Sequence, residues 1–185
     1  MIKTTYLDSI VSRETLKKIH KYCDCLIKYN KNLNLISKST EEIIMSRHIE
    51  DSAQLLKYID DDDKNILDIG SGAGFPGIVM YLLKNDIKIN FGLDIVEKSS
   101  KKCTYLNDLC NFLEIDVSIH NYDVRELHKK DYTTLLSRAF KPLNPFLCII
   151  EMSNIKFNKI LLLKGQSYQA EIEEAMKHWE INYDT

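Results

Sequence analysis

Residues 65–77 read Asn-Ile-Leu-Asp-Ile-Gly-Ser-Gly-Ala-Gly-Phe-Pro-Gly. An apolar run of strand type enters a glycine cluster, and Pro76 stands where a helix opens. Glycines at 70, 72 and 74 free the backbone for conformations closed to other residues and let a ligand lie against bare peptide groups. Pro76 has the fixed φ of a first helical position, where a missing N–H costs nothing. Strand, glycine turn and helix in that order mark a site for a nucleotide-type cofactor.

The residues around the turn narrow the choice. A phosphate-binding loop needs Lys followed by Ser or Thr after its last glycine, whereas Gly77 is followed by Ile78 and Val79, which disfavours a nucleoside triphosphate. The dinucleotide fingerprint needs a small residue where this chain has Phe75, so NAD is the weaker reading. What remains is a turn that admits a ligand, with Asp94 read as the acid that ends the second strand and binds ribose hydroxyls. Those parts suit a nucleoside cofactor without a pyrophosphate, S-adenosylmethionine. Asp94 is read equally well as a helix N-terminal charge ahead of Glu97.

Outward from the turn, strands and helices alternate. Residues 66–69, 88–94, 115–120, 135–137 and 159–163 read as strands, with helices over 76–84, 97–112, 124–129, 142–152 and 168–179. Such alternation implies a parallel sheet covered on both faces, because parallel neighbours need crossover connections. Its ligand site lies outside the carboxyl ends of the strands, where the strand order reverses. Upstream, Ser12 caps a helix whose stripe is Leu16, Ile19, Cys23, Leu26 and Asn30. A capping-box pattern, Ser39-Thr40-Glu41-Glu42, opens a second helix running to Ile59. The acidic run 60–63 closes this helical extension, so the chain divides into residues 1–63 and a sheet domain over 64–185, packed as one unit.

A chain of 185 residues has room for one full core with a small appendage. Its 25 Lys and Arg against 27 acids give no global argument for a nucleic-acid partner. Residues 1–40, however, carry eight basic groups (Lys3, Arg13, Lys17, Lys18, Lys21, Lys28, Lys31, Lys38) against Asp8, Glu14 and Asp24, a local net of +5. A solvated helix face accounts for that charge as simply as a partner does. The five cysteines are an odd number without paired CxxC motifs and without a His cluster at zinc spacing, so neither disulfides nor a metal is expected. No stretch approaches the ~20 apolar residues that span a bilayer. A reduced, cytoplasmic protein, acting as a monomer, is the expectation.

Four segments in order carry a resemblance: Asn32-Leu33-Asn34-Leu35-Ile36-Ser37; Arg47-His48-Ile49-Glu50-Asp51-Ser52; Asp68 to Gly77; and Ser137-Arg138-Ala139 with the later Leu163-Lys164-Gly165. In these the chain resembles the RsmG (GidB) family of small-subunit ribosomal RNA methyltransferases. The resemblance implies a class I S-adenosylmethionine-dependent methyltransferase fold, a Rossmann-like doubly wound sheet with an N-terminal helical extension. It further implies methyl transfer to N7 of one guanosine in 16S rRNA of the small subunit. By matching position it places the cofactor against Gly70 and Phe75, with Val124 and Arg125 near the adenine and Arg138 completing the site; Gly72 and Asp94 join them on the physical argument above. In the adenine segment the family reads Arg-Val-Glu or Arg-Ala-Glu, whereas this chain has Asp123-Val124-Arg125-Glu126, so position 125 supplies backbone contacts and no Glu side chain.

Without the resemblance, Arg47 and Asp51 are an exposed i,i+4 ion pair worth ~0.3–0.5 kcal/mol, and His48 is an interior histidine. With it, Arg47, His48, Asp51 and Ser52 become a pocket wall. Lys98, Lys101 and Lys102 oppose the dipole of the helix they open, which suits an anionic partner or a solvated face. The N7 of guanine offers a lone pair without a proton, so no general base is required; catalysis rests on positioning and on dipoles that accept moving charge. Arg138 and Lys164 are expected to hold the RNA or the cofactor carboxylate. Rival readings are methylation of a small molecule or a protein, a nicotinamide-dependent oxidoreductase, and a catalytically silent ribosome-binding module. The fold class usually ends in two antiparallel strands; only residues 178–185 follow Lys177, so the last strand is expected to be missing, leaving a sheet edge.

Overall fold

The structure, a computed structural model, describes residues 11–128 and 131–185. Lys3 and Asp8 of the basic N-terminal segment, and Lys129 at the expected end of the helix begun at Val124, lie outside the described residues.

Helix α1 spans Arg13–Leu33. Ser12 caps it by accepting the Thr15 N–H at 3.2 Å, and the stripe Thr15, Ile19, Tyr22, Cys23, Leu26, Asn30 is buried. Asn30, a polar member of that stripe, pins the segment that follows: its amide exchanges hydrogen bonds with both backbone groups of Ile36 (2.9 and 3.0 Å) and donates to Glu41 at 2.6 Å. The chain leaves the helix through Asn34, whose φ of 48° is the left-handed conformation that asparagine tolerates.

The single helix expected over residues 39–59 is broken. A 3-10 stretch Lys38–Ile43 passes into a π turn Met45–Glu50, a short α2 (Asp51–Ala53) and a second 3-10 stretch Gln54–Tyr58. The capping box does not form: the 3-10 stretch starts at Lys38 with Ser37 at its cap position, and the Ser39 hydroxyl pairs with that of Ser37 at 3.0 Å.

Among the described residues, five strands, β1 (Asn65–Ile69), β2 (Gly92–Val96), β3 (Ser118–His120), β4 (Thr134–Arg138) and β5 (Lys159–Leu163), form one all-parallel sheet in the order β3-β2-β1-β4-β5. The connections carry helices α3 (Gly77–Leu83), α4 (Ser100–Leu113) and α5 (Leu143–Ser153); α6 (Tyr168–Ala175) follows β5. Strand order reverses between β1 and β4, which puts the switch point directly above the glycine turn.

Each sheet face has its own core. Ile66, Leu93, Ile95 and Leu136 pack with Ile19, Tyr22 and Leu26 of α1, with Ile49, and with residues of α3 and α4. Leu67, Ile69, Val96 and Leu135 pack with Phe146 and Ile150 of α5 and with Val124, Leu127 and Tyr132. The helical extension therefore shares a core with the sheet.

Several boundaries differ from expectation, among them the starts of β3 at Ser118 and of α4 at Ser100, three residues later than expected. β2 starts at Gly92 because the chain is still turning at Lys88, which has a φ of 59°, and Ile89 bonds back to the Lys84 carbonyl. The residues from Val124 form a 3-10 turn, Val124–Glu126, capped by Asp123. Helix α6 stops at Ala175, after which the Trp179 indole donates to Asn144 at 2.8 Å. All five residues of β5, at the sheet edge, are partly exposed, and no strand follows α6 among the described residues.

Candidate active site

The site grows from the carboxyl end of β1. Asp68 there is fully buried, and its Oδ2 accepts from the Ser71 hydroxyl at 2.6 Å and the Gly77 N–H at 2.9 Å. One carboxylate oxygen thus holds both ends of the turn, and a Cβ on Gly77 would meet it at 2.7 Å. Burial pushes the Asp68 carboxyl up to about 7 despite those two donors. Two tyrosine hydroxyls, Tyr22 of α1 (2.7 Å) and Tyr105 of α4 (3.1 Å), donate to the Ala73 carbonyl and fix the middle of the turn.

Gly70, Gly72 and Gly74 all have positive φ (69°, 60° and 99°), but their bare faces meet different neighbours. The ring of Phe140 fills the space of a Cβ on Gly70, and the Tyr22 hydroxyl and Ile78 fill that of Gly74. Gly72 alone faces open space, with nothing nearer than the Gly70 carbonyl at 3.9 Å and the Lys102 ammonium at 4.0 Å. Of the three, Gly72 is the one whose lost side chain leaves room for a ligand.

The acid at the end of β2 is Glu97, not Asp94. β2 runs through Val96, so Asp94 sits in mid-strand beside Leu67 and points under the sheet, where it accepts from the Tyr132 hydroxyl at 2.9 Å and lies 3.9 Å from His120 Nε2. Glu97 leaves the strand above the turn. Its oxygens accept from the Gly72 N–H (3.2 Å) and the Ser99 N–H (2.9 Å). The signal that would have found it is the unbroken run Gly92-Leu93-Asp94-Ile95-Val96, whose first following acid is residue 97.

A cavity of about 340 Å³ opens at this end of the sheet, lined by Ile69, Gly70, Val96, Tyr122, Val124, Phe140 and Ile149, with Lys98, Asp123, Arg125 and Lys141 as its charged groups. Gly70, Val124 and Arg125 thus border one cavity. Arg125 turns its guanidinium back on Asp123 (two contacts of 2.8 Å), which with Lys98 at 3.6 Å holds that carboxyl far below the usual range. A groove of about 400 Å³ lies apart from the strand ends, between residues 142–145 and α6.

A second cluster stands beside the turn. Phe75 is buried between Tyr22 (centroids 5.4 Å) and His48 (5.0 Å, 10° between planes), and the Arg138 guanidinium lies 5.4 Å from its centroid. Phe75 is thus packing that supports the turn, not a wall of the cavity. Arg138 Nη2 donates to His48 Nδ1 at 2.8 Å and to the Arg47 carbonyl at 3.1 Å. Arginine only donates, so His48 keeps its proton on Nε2 and passes it toward the Thr40 hydroxyl at 3.0 Å, which donates to the Ser37 carbonyl at 2.9 Å. Burial, and after it the charges of Arg138 and Arg47, push the imidazole down to about 4.

Arg47 and Asp51 form the exposed ion pair at 3.5 Å. Ser52 is fully buried with its hydroxyl spent on the His48 carbonyl at 2.6 Å, so it stiffens the π turn and faces no pocket. Lys164 also leaves the wall: its ammonium binds the Lys141 carbonyl (2.7 Å) and Glu171 (2.8 Å), joining the loop after β4 to α6. Sequence reasoning missed Asp68, Glu97, Tyr122 and Phe140.

Beside the turn, two buried polar atoms lack a hydrogen-bond partner among the described residues: Oδ1 of Asp68 and Nη1 of Arg138. An acceptor and a donor are what the ammonium and carboxylate of an amino-acid group require. With the ribose-type acid Glu97, the open Gly72 and the apolar cavity, the residues present fit S-adenosylmethionine.

The sheet order, the glycine turn and this set of groups define a class I S-adenosylmethionine-dependent methyltransferase. The chain aligns with the structure of a ribosomal protein L11 methylase from Lactobacillus delbrueckii subsp. bulgaricus at a TM-score of 0.57, over 71% of this chain and 67% of that one, with 11% identity. A methyltransferase from Methanococcus maripaludis aligns at 0.51 over 96% and 75%, with 12% identity. Residues 15–184 match the GidB family, rRNA small subunit methyltransferase G, and the chain belongs to that family. It is 38% identical over 176 residues to the ribosomal RNA small subunit methyltransferase G of Orientia tsutsugamushi (strain Ikeda), covering 94% of this chain and 84% of the relative. To the Pelagibacter ubique protein of the same name it is 31% identical over 94% and 83%. No helix among the described residues is long and apolar enough to cross a membrane.

Proposed function

We propose that the protein transfers the methyl group of S-adenosylmethionine to N7 of a guanosine in 16S rRNA of the small ribosomal subunit, acting as a monomer. The observation that carries this reading is the cavity at the switch point of the sheet, bordered by the glycine turn, with Glu97 gripping Gly72 above it. Family membership supports the substrate class.

When bound, the cofactor supplies a methyl group on a positively charged sulfur. Glu97 is the acceptor for ribose hydroxyls, and Val124 offers an apolar wall to the adenine. Asp68 Oδ1 and Arg138 Nη1 meet the amino-acid end, and an ammonium beside Asp68 draws its carboxyl back below neutrality. Gly72 lets the ligand reach backbone. The guanine nitrogen attacks with its own lone pair, so no side chain takes a proton. His48 instead orients the arginine, and its unprotonated Nδ1 is what allows it to accept from Nη2. The positioning that remains is worth up to ~7–11 kcal/mol. Phosphates around the mouth find Lys98, Lys141 and the basic face of α1.

The test is incubation of small subunits lacking the modification with labelled S-adenosylmethionine, followed by borohydride and aniline cleavage at N7-methylguanosine. One methyl per subunit at a single guanosine is expected. Label on protein, on free metabolites alone, or on another base atom contradicts the proposal, as does association with the subunit without transfer.

A further inference from the structure

Gly70 is expected to receive the cofactor, yet its bare face is covered. A Cβ built there would lie 2.3 Å from Cδ2 and 2.9 Å from Cγ of Phe140, so the ring occupies the space that the glycine leaves. Phe140 also lines the cavity, whose volume of about 340 Å³ is near the lower end of the ~300–1,000 Å³ usual for small-molecule sites. The ring and a ligand cannot both fill the space that Gly70 leaves bare.

The ring meets Phe146 edge-on, with centroids 6.4 Å apart at 84°, and is partly exposed. It is carried back over the turn by Ala139, an exposed residue with a φ of 51°, a conformation that a residue with a Cβ seldom adopts. The bend lies directly after Arg138, the last residue of β4. Displacing the ring would call for rotation about the Phe140 side-chain bonds, which lie beyond the end of the strand.

From this geometry we propose that Phe140 is the residue that sets access of the cofactor to the glycine turn: its ring seals Gly70 in the free protein and is displaced when S-adenosylmethionine binds. The inference rests on the cofactor reading above. Free protein with the ring seated cannot accept a ligand at Gly70, so the measured affinity is the intrinsic affinity reduced by the fraction of molecules with the ring displaced.

S-adenosylhomocysteine serves as the probe, measured by calorimetry on the full chain. Phe140→Ala is expected to bind it about tenfold more tightly, as follows if about one molecule in ten is open beforehand. Phe140→Trp, with a larger ring, is expected to bind it more weakly. In wild type carrying fluorophenylalanine, the fluorine resonance absent from Phe140→Ala should shift when the probe is added. Should the alanine variant lose its fold by circular dichroism, Phe140→Leu carries the same test with an intermediate gain. Equal or weaker binding by the smaller side chain overturns the proposal, because it makes Phe140 a wall or a bystander, and so does a Phe140 resonance that stays fixed at saturation. Failure of wild type to bind the probe at all refutes the cofactor reading instead, which keeps the two claims separable.

Discussion

Arg138 and His48, 90 residues apart in sequence, are joined by a 2.8 Å contact between Nη2 and Nδ1. This contact fixes which nitrogen of the imidazole is bare and ties the last residue of β4 to the π turn of the helical extension. It exists only while His48 is neutral.

Acid should therefore loosen the site and the fold together. The folded-state pKa of His48 is lowered from 6.5 to about 4, so its contribution is present above 6.5 and is lost as pH falls through about 4. Asp68 has the opposite sign: raised from 3.8 to about 7, it favours the fold at low pH and the benefit is lost as pH rises through about 7. Thermal midpoints of wild type and His48→Gln between pH 4 and 6.5 check this. The variant should show a weaker fall on acidification, and Asp68→Asn should show a steeper one.

The three glycines should separate on substitution. Gly74→Ala places a Cβ 2.6 Å from the Tyr22 hydroxyl and keeps a φ of 99°, and should destabilise by about 2 kcal/mol or more. Gly72→Ala meets open space and should cost only its backbone strain, about 1 kcal/mol, while losing cofactor binding. Thermal denaturation together with calorimetry distinguishes a residue needed for packing from one needed for the ligand.

Glu97 and Asp94 are separable in the same way. Glu97→Gln should raise the dissociation constant of S-adenosylhomocysteine about tenfold or more, since a charged acceptor for hydroxyls is lost. Asp94→Asn should leave that constant unchanged, because Asp94 bonds with Tyr132 on the far side of the strand. An effect of Asp94→Asn equal to that of Glu97→Gln would return the ribose to the mid-strand acid.

Lys164→Ala should lower stability by about 1–2 kcal/mol, by freeing Glu171 and the Lys141 carbonyl, without weakening RNA binding. Filter binding to small subunits alongside denaturant unfolding is the check.

The parallel sheet and the location of its ligand end were legible because strand, glycine turn and helix alternate with the period of each element. The position of Asp94 was not, because Lys88 and Asn90 carry no signal that the chain is still turning, and a strand that slips by a few residues changes which acid reaches its end. The helix expected over 39–59 misled for another reason. Its capping serine pairs with Ser37, the helical stretch starts one residue early at Lys38, and the neighbouring Glu41 is tied to Asn30, eleven residues earlier, so the local cap is overridden. His48 is buried, in keeping with its apolar neighbours, but its partner Arg138 comes from the far end of the chain and no local pattern pairs the two. Phe140 had no sequence signal: only the bend at Ala139 brings it onto Gly70.

A crystal structure of the protein with S-adenosylhomocysteine decides whether the glycine turn is the cofactor site. The ligand is expected along that turn, its ribose hydroxyls on Glu97 and its amino-acid group between Asp68 and Arg138. A ligand seated elsewhere, such as the groove beside α6, or a turn left vacant at saturating concentration, would overturn the assignment.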